Sequence, residues 1–448
     1  MALTTEPTIN EAKRPPDWWP FAFSQSRLNP WRGLGGLPRE SWLLFATNLV
    51  NRAGMMVLPF LVLYLTRQLG FSAARAGFVF AVYGATSILV GPISGKLSDR
   101  IGALPIMRVS LISSGIALLV FPLAKTYPAV IAITIVWAAC AELFRPASMA
   151  AITHVVSPSQ RRAAFALNRL AINLGMSIGP ALGGFLATVS FRAMFVVDAV
   201  TTLLAGAVLL LTAWRLPTGG PDAQSAVEDL HLEVQSILRD RRLAIFLFGS
   251  VLVGIVFFQH ESALPLYMVQ YLHMSPAFYG TLFTINTLLI VALEVPLNSA
   301  TSHWPNTWSL VIGSLLFAVG FGALAFVSSA VGVTAMVIVW TFGEMMLFPA
   351  MAAHLGEVAP PSLRGTYMGA YSMSLSVALT LGPWLGTQLL ASTGPVGVWS
   401  IMFALGVLAA VLMVYAAPPH RRRRAAVAAE SQRRSSRSLS RCVHRAGL

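Results

Sequence analysis

Uninterrupted apolar runs, each the length of a helix and separated by short polar punctuation, recur from Ser41 to Ala417. A helix needs roughly 20 apolar residues to cross the hydrocarbon of a bilayer. About twelve stretches qualify: 41–65, 76–94, 104–124, 128–150, 163–188, 193–214, 243–268, 276–297, 307–327, 330–352, 366–391 and 396–417. The runs are continuous, whereas a membrane β-barrel would show alternating segments of about ten residues. The pattern predicts an all-α membrane protein of about twelve transmembrane helices.

Composition agrees. With 56% hydrophobic and 11% charged residues over 448 positions, a water-soluble surface of this size could not be covered with polar groups. The formal net charge of +14 raises nucleic acid as a partner until its distribution is followed. Lys13, Arg14, Arg27, Arg32 and Arg39 precede the first run, Arg161, Arg162, Arg239, Arg241, Arg242 and Arg364 fall in alternate loops, and Arg421 to Arg424 open the tail. All lie on one side; the other holds Arg67, Arg75, Lys125 and Arg192. That asymmetry predicts both termini in the cytoplasm, in a bacterial-type inner or plasma membrane, with basic residues touching lipid headgroups. The tail lacks aromatic residues to stack on bases, so no nucleic-acid partner is expected. No short apolar core follows a basic start in the first forty residues, so no cleavable signal peptide is expected. Cys140 and Cys442 are too few for a disulfide or metal framework.

An internal repeat organises the runs. Gly179-Pro180-Ala181-Leu182-Gly183 recurs as Gly382-Pro383-Trp384-Leu385-Gly386, and Pro146 with Pro349, Pro158 with Pro361 and Arg161 with Arg364 keep the same separation of 203 residues. Two six-helix, pseudo-symmetric halves follow, at 41–214 and 243–417. They are flanked by a tail at 1–40 and a basic tail at 418–448. The connection 215–242 begins with Thr218-Gly219-Gly220-Pro221 and places Val227, Leu230, Val234, Ile237 and Leu238 at helical spacing, which predicts a cytoplasmic amphipathic helix.

Two motifs carry a resemblance. Gly95-Lys96-Leu97-Ser98-Asp99-Arg100-Ile101-Gly102 reads locally as a tight charged turn at a membrane surface. It resembles the loop between helices two and three of the major facilitator superfamily, G-x-L-x-D-R-x-G, although Ala103-Leu104-Pro105 stands where basic residues usually follow. The resemblance implies a conformational latch formed by Gly95, Asp99, Arg100 and Gly102; a solvated turn that sets orientation is the local alternative. In the fifth run, Gly175, Gly179, Pro180, Gly183 and Gly184 put small residues four apart beside a helix-bending proline, which suits close helix packing. The same positions resemble the helix-five motif of drug and proton exchangers of that superfamily, which implies antiport and efflux, as in multidrug resistance, over uptake.

Ionisable residues inside membrane helices are costly and usually face a pathway. Glu344 has no cation within one helical turn and is the first proton-coupling candidate, with Glu261, His260 and Glu142 after it. His260 and Glu261 are expected near the wet outer end of helix seven. Glu142 and Arg145, three apart, are on one face and can neutralise each other. Arg52 stays charged and is a counter-charge or anion anchor, with Asn48, Asn51 and Arg145 as further substrate candidates. Asp198, Glu294 and Arg169 are expected nearer helix ends, where they can snorkel.

The reading is a secondary active transporter of the major facilitator fold, working by alternating access and exchanging protons for small amphipathic molecules or drugs. It is expected to be a monomer with no cofactor and no metal, driven by the proton gradient. An uptake symporter or uniporter for a sugar, peptide or organic anion stays open, as does a non-transporting membrane scaffold or receptor. No nucleotide loop, His-Glu-x-x-His helix or Gly-x-Ser-x-Gly elbow is present, so no enzyme is expected.

Overall fold

The structure, a computed structural model, describes residues 36–157, 160–211, 240–360 and 363–416, without the side chains of Lys96, Asp99, Arg162 and Arg364. The predicted tails and the amphipathic connection fall almost wholly outside these residues. Helices and turns make up all of the described chain. Eleven of its helical segments are long and apolar enough to span a bilayer. They are α1 (Arg39–Gln68), α2 (Ala73–Ile101), α3 (Ala103–Leu123), α4 (Tyr127–Val155), α5 (Arg161–Val189), α6 (Phe191–Leu211), α7 (Arg241–Tyr271), α8 (Pro276–Ala300), α9 (Asn306–Phe326), α10 (Ala330–Val358) and a last segment, Arg364–Ala416. The last is two helices, α11 and α12, divided at Gly394, whose φ of 70° is open to glycine but strained for other residues. The count is therefore twelve among the described residues.

The charged segment after Gly95 is not a turn. Helix α2 runs through it to Ile101, and only Gly102, at φ 96° and ψ 150°, redirects the chain into α3. Gly95 keeps helical geometry, and the amide of Gly102 still donates to the carbonyl of Ser98 (2.9 Å). Glycines and charges signal a turn in sequence; here one left-handed residue is enough, and Pro105 sits in the first turn of α3, where its missing N–H has no intrahelical acceptor to lose.

Helices α1 and α7 are both interrupted. Regular α-helix stops at Gly54, Met55 and Met56 intervene, and Val57 restarts it; Pro59, in the new first turn, cannot donate to the carbonyl of Met55. In α7 the helix tightens over Phe258–Glu261, Ser262 leaves helical geometry, and Ala263 restarts it with Pro265 in the first turn. Both end in one wide turn, beginning at Tyr64 and at Tyr267. Ser72 and Ser275 then cap α2 and α8 through the amides of Arg75 and Phe278, and these pairs repeat the separation of 203 residues.

The halves meet along two seams, α5 against α8 and α2 against α11. At the end of the bundle holding the α1–α2 and α7–α8 connections the seams are backbone-close. A Cβ on Gly184 would stand 3.2 Å from the Cα of Gly280, and one on Gly84 2.8 Å from the Cα of Thr380. Toward the other end a Cβ on Gly95 or Gly369 would meet nothing within 4 Å. The α2–α11 seam is thus backbone-close at one end only.

Candidate functional site

The break in α1 is held by residues from two other helices. Asp198 of α6 accepts from the amides of Met56 (3.0 Å) and Val57 (2.9 Å), the first free donors of the restarted helix. Asp198 is buried at 4% exposure, so it does not snorkel as its position in the sequence suggested; it caps a helix that begins inside the membrane. The glycines of α5 complete the cradle. A Cβ on Gly179 would lie 2.9, 3.0 and 3.1 Å from the carbonyls of Arg52, Met55 and Ala53, one on Gly175 2.8 Å from the amide of Ala53, and one on Gly183 2.9 Å from Met56 Cβ. Gly184 faces α8 instead, and the carbonyl of Pro180 lies against Gly280. The small-residue stripe therefore seats both the interruption in α1 and the neighbouring half.

Beside the break lies a cavity of about 110 Å³ among α1, α2, α3, α4 and α6. Asn51, Arg52, Tyr83, Trp137, Glu142, Arg145 and Asp198 supply most of its chemistry. Arg145 donates Nη2–H (2.8 Å) and Nε–H (3.1 Å) to one oxygen of Glu142, so this predicted pair forms. Asn48 is elsewhere. It is buried, donating to Leu44 O (2.9 Å) and Ser148 Oγ (3.2 Å), and joins α1 to α4 without reaching the cavity. A polar residue in an apolar run points as readily to such a helix–helix bond as to a substrate contact.

In the second half a smaller cavity of about 30 Å³ is lined by Phe257, His260, Leu264, Tyr279, Leu282, Phe283, Asn286 and Trp340. Asn286 of α8 is in hydrogen-bond reach of Glu344 Oε2 (3.0 Å) and Thr341 Oγ1 (2.9 Å), tying the Glu344 carboxyl to the cavity wall. No ion pair to Glu344 forms among the described residues. His260 and Glu261 are drawn into the protein at the interruption of α7 and are not at a wet outer end. His260 Nδ1 lies 2.6 Å from Phe257 O and its Nε2 3.7 Å from Glu261 Oε1, and Glu261 is 6% exposed. Tyr279 Oη sits between Pro59 O (3.3 Å) of one half and His260 O (2.7 Å) of the other, bringing the two interruptions together at the backbone-close end. On α10, Trp340 reaches the cavity; Met345 and Met346 are buried in packing, and Phe348 packs on Phe257.

Sequence reasoning missed one further contact. Arg169 of α5 and Glu294 of α8 form an ion pair across the halves. Each was read as a lone charge near a helix end; nothing in a single sequence pairs residues 125 positions apart. Gly95, Arg100 and Gly102 line neither cavity, and the Asp99 side chain lies outside the described residues. No metal-binding group of His, Cys, Asp and Glu occurs among the described residues.

The architecture has counterparts among known proteins. The family model described as Major Facilitator Superfamily matches residues 43–271 and 260–446. The chain is 28% identical over 382 residues to an uncharacterized MFS-type transporter, YqjV, of Bacillus subtilis, covering 84% of this chain and 93% of that one. It is 24% identical over 368 residues to a Na(+), Li(+), K(+)/H(+) antiporter of Planococcus maritimus, covering 75% and 85%. Among solved structures, a POT family transporter in complex with a thioalcohol-conjugated peptide superposes with a TM-score of 0.73 at 15% identity, over 86% of this chain and 97% of that one.

Proposed function

The chain belongs to the major facilitator superfamily, and from that premise we propose that it is a proton-coupled exporter that exchanges protons for a small amphipathic molecule by alternating access. The observation that carries this reading is Glu344, a carboxyl inside a membrane helix with a neutral amide as its hydrogen-bond partner and a cavity beside it. An intramembrane carboxyl free of a paired cation can take up and release a proton without breaking an ion pair. The antiporter among the relatives supports exchange, and the mixed aromatic and polar walls of both cavities suit an amphipathic cargo. With both termini cytoplasmic, the looser end of the α2–α11 seam is the cytoplasmic one, which suits loading of substrate from inside.

The proton-motive force is sufficient for the work. One elementary charge crossing about 100 mV supplies roughly 2.3 kcal/mol, a concentration ratio of about fifty. The reading is tested in proteoliposomes with an imposed pH difference and an amphipathic fluorescent dye. The wild type is expected to accumulate dye against its gradient and Glu344→Gln to let it only equilibrate. Indifference of the wild type to the pH difference would exclude the reading.

A further inference from the structure

Every charged group lining the first cavity has a partner except one. Glu142 is engaged by Arg145, and Asp198 by the amides of Met56 and Val57 with Thr202 Oγ1 at 3.5 Å. Arg52 has five N–H donors, yet its one hydrogen-bond contact among the described residues is from Nη1 to the weakly accepting sulfur of Met55 (3.1 Å), and its buried Nε–H has no acceptor. Glu261 faces it from the other half but forms no ion pair with it. Arg52 is half-buried, and leaving its buried Nε–H without an oxygen partner is unfavourable, while Arg cannot escape by losing its proton. Neutral donors flank it in the same wall: the Asn51 amide, the Tyr83 and Ser114 hydroxyls and the Trp137 indole. The space of about 110 Å³ beside these donors is enough for an acid head group.

We infer that this cavity is an oxyanion subsite and that the transported molecule is an amphipathic acid, its carboxylate or sulfonate held by the planar fork of Arg52 and its apolar body left to the cleft between the halves. A guanidinium matches the two coplanar oxygens of such a head and forms charge-assisted bonds with both. The inference rests on the transporter reading for its biological meaning, but binding can be measured without any gradient. The position of Arg52 next to the interruption of α1 gives the head group a mechanical consequence, because neutralising the guanidinium acts on the segment that Asp198 and the α5 glycines hold.

The test is equilibrium binding by calorimetry to the full chain in detergent, with three probes that share one ring system: a naphthalenesulfonate, a naphthamide and a naphthylmethyl-trimethylammonium ion. The sulfonate is expected to bind at least about tenfold tighter than the amide, as charge-assisted bonding requires, and the ammonium weakest. Arg52→Met is expected to erase the sulfonate preference and Arg52→Lys to keep part of it, since a point charge replaces the fork. Arg52→Gln, which keeps neutral donors, serves if the methionine variant does not fold. Equal or tighter binding of the ammonium, or a sulfonate preference that survives Arg52→Met or Arg52→Gln, would overturn the inference. Glu344→Gln is expected to retain the preference, so loss of proton coupling and loss of the subsite are separable results.

Discussion

Asp198 shows how one side chain sets the geometry of the cavity. Its carboxylate satisfies two amides that a broken helix leaves without intrahelical partners inside the membrane. Asp198→Ala is expected to lower the thermal melting point in detergent, through a loss of about 2–5 kcal/mol for two orphaned donors, with Asp198→Asn intermediate because both amides can still donate to its one oxygen but without the charge. An unchanged melting point in the alanine variant would remove Asp198 from this role. Charge in an apolar run made Arg52, Glu142, Glu261 and Glu344 legible as candidates, because their cost inside a membrane demands an explanation. Partnership was legible only for Glu142 and Arg145, which share a helix face. The partners of Asp198 lie 141 and 142 residues away, and neither Arg169 nor Glu294 has a charged counterpart in the other half to suggest a pairing.

At the scale of elements, glycines separate into those that seat a neighbour and those that do not. Gly179→Ala would press a Cβ against three backbone carbonyls of the α1 interruption, and carbonyls fixed in a helix cannot move aside as a side chain can. It is expected to cost about 1–3 kcal/mol and to abolish transport. Gly95→Ala, in open helical space, is expected to leave folding intact and to stabilise α2 by about 0.5–1 kcal/mol. A melting-temperature comparison of the two checks both signs; equal effects would mean that the stripe on α5 is ordinary packing. The number and order of helices and the repeat were readable because apolar length and recurring Gly-Pro motifs are local signals. The interruptions of α1 and α7 were not, since Pro59 and Pro265 are tolerated in the first turn of any helix and tertiary packing supplies the breaks before them. The segment from Gly95 to Gly102 misled for the opposite reason, its turn-forming residues being absorbed by a helix that continues to Ile101.

For the whole molecule, the two seams divide the labour of alternating access. Close glycine contacts and Tyr279 shut one end, whereas Arg169 and Glu294 tie α5 to α8 across the halves. Glu294→Gln removes that tie without changing side-chain size. It is expected to loosen the α5–α8 seam at the end away from Gly184 and Gly280, seen as a longer distance between spin labels at the exposed Ile101 and Trp304. An unaltered distance distribution would make the ion pair incidental to the state. Coupling of this kind is reciprocal: if protons drive substrate, substrate must drive protons.

The most direct measurement is therefore proton flux in proteoliposomes holding a pH-sensitive dye and given a downhill gradient of an amphipathic substrate, with no pH difference imposed. The account predicts proton movement opposite to the substrate in the wild type and substrate movement without proton flux in Glu344→Gln. Substrate crossing the wild type with no proton flux, or with protons in the same direction, would contradict proton-coupled exchange.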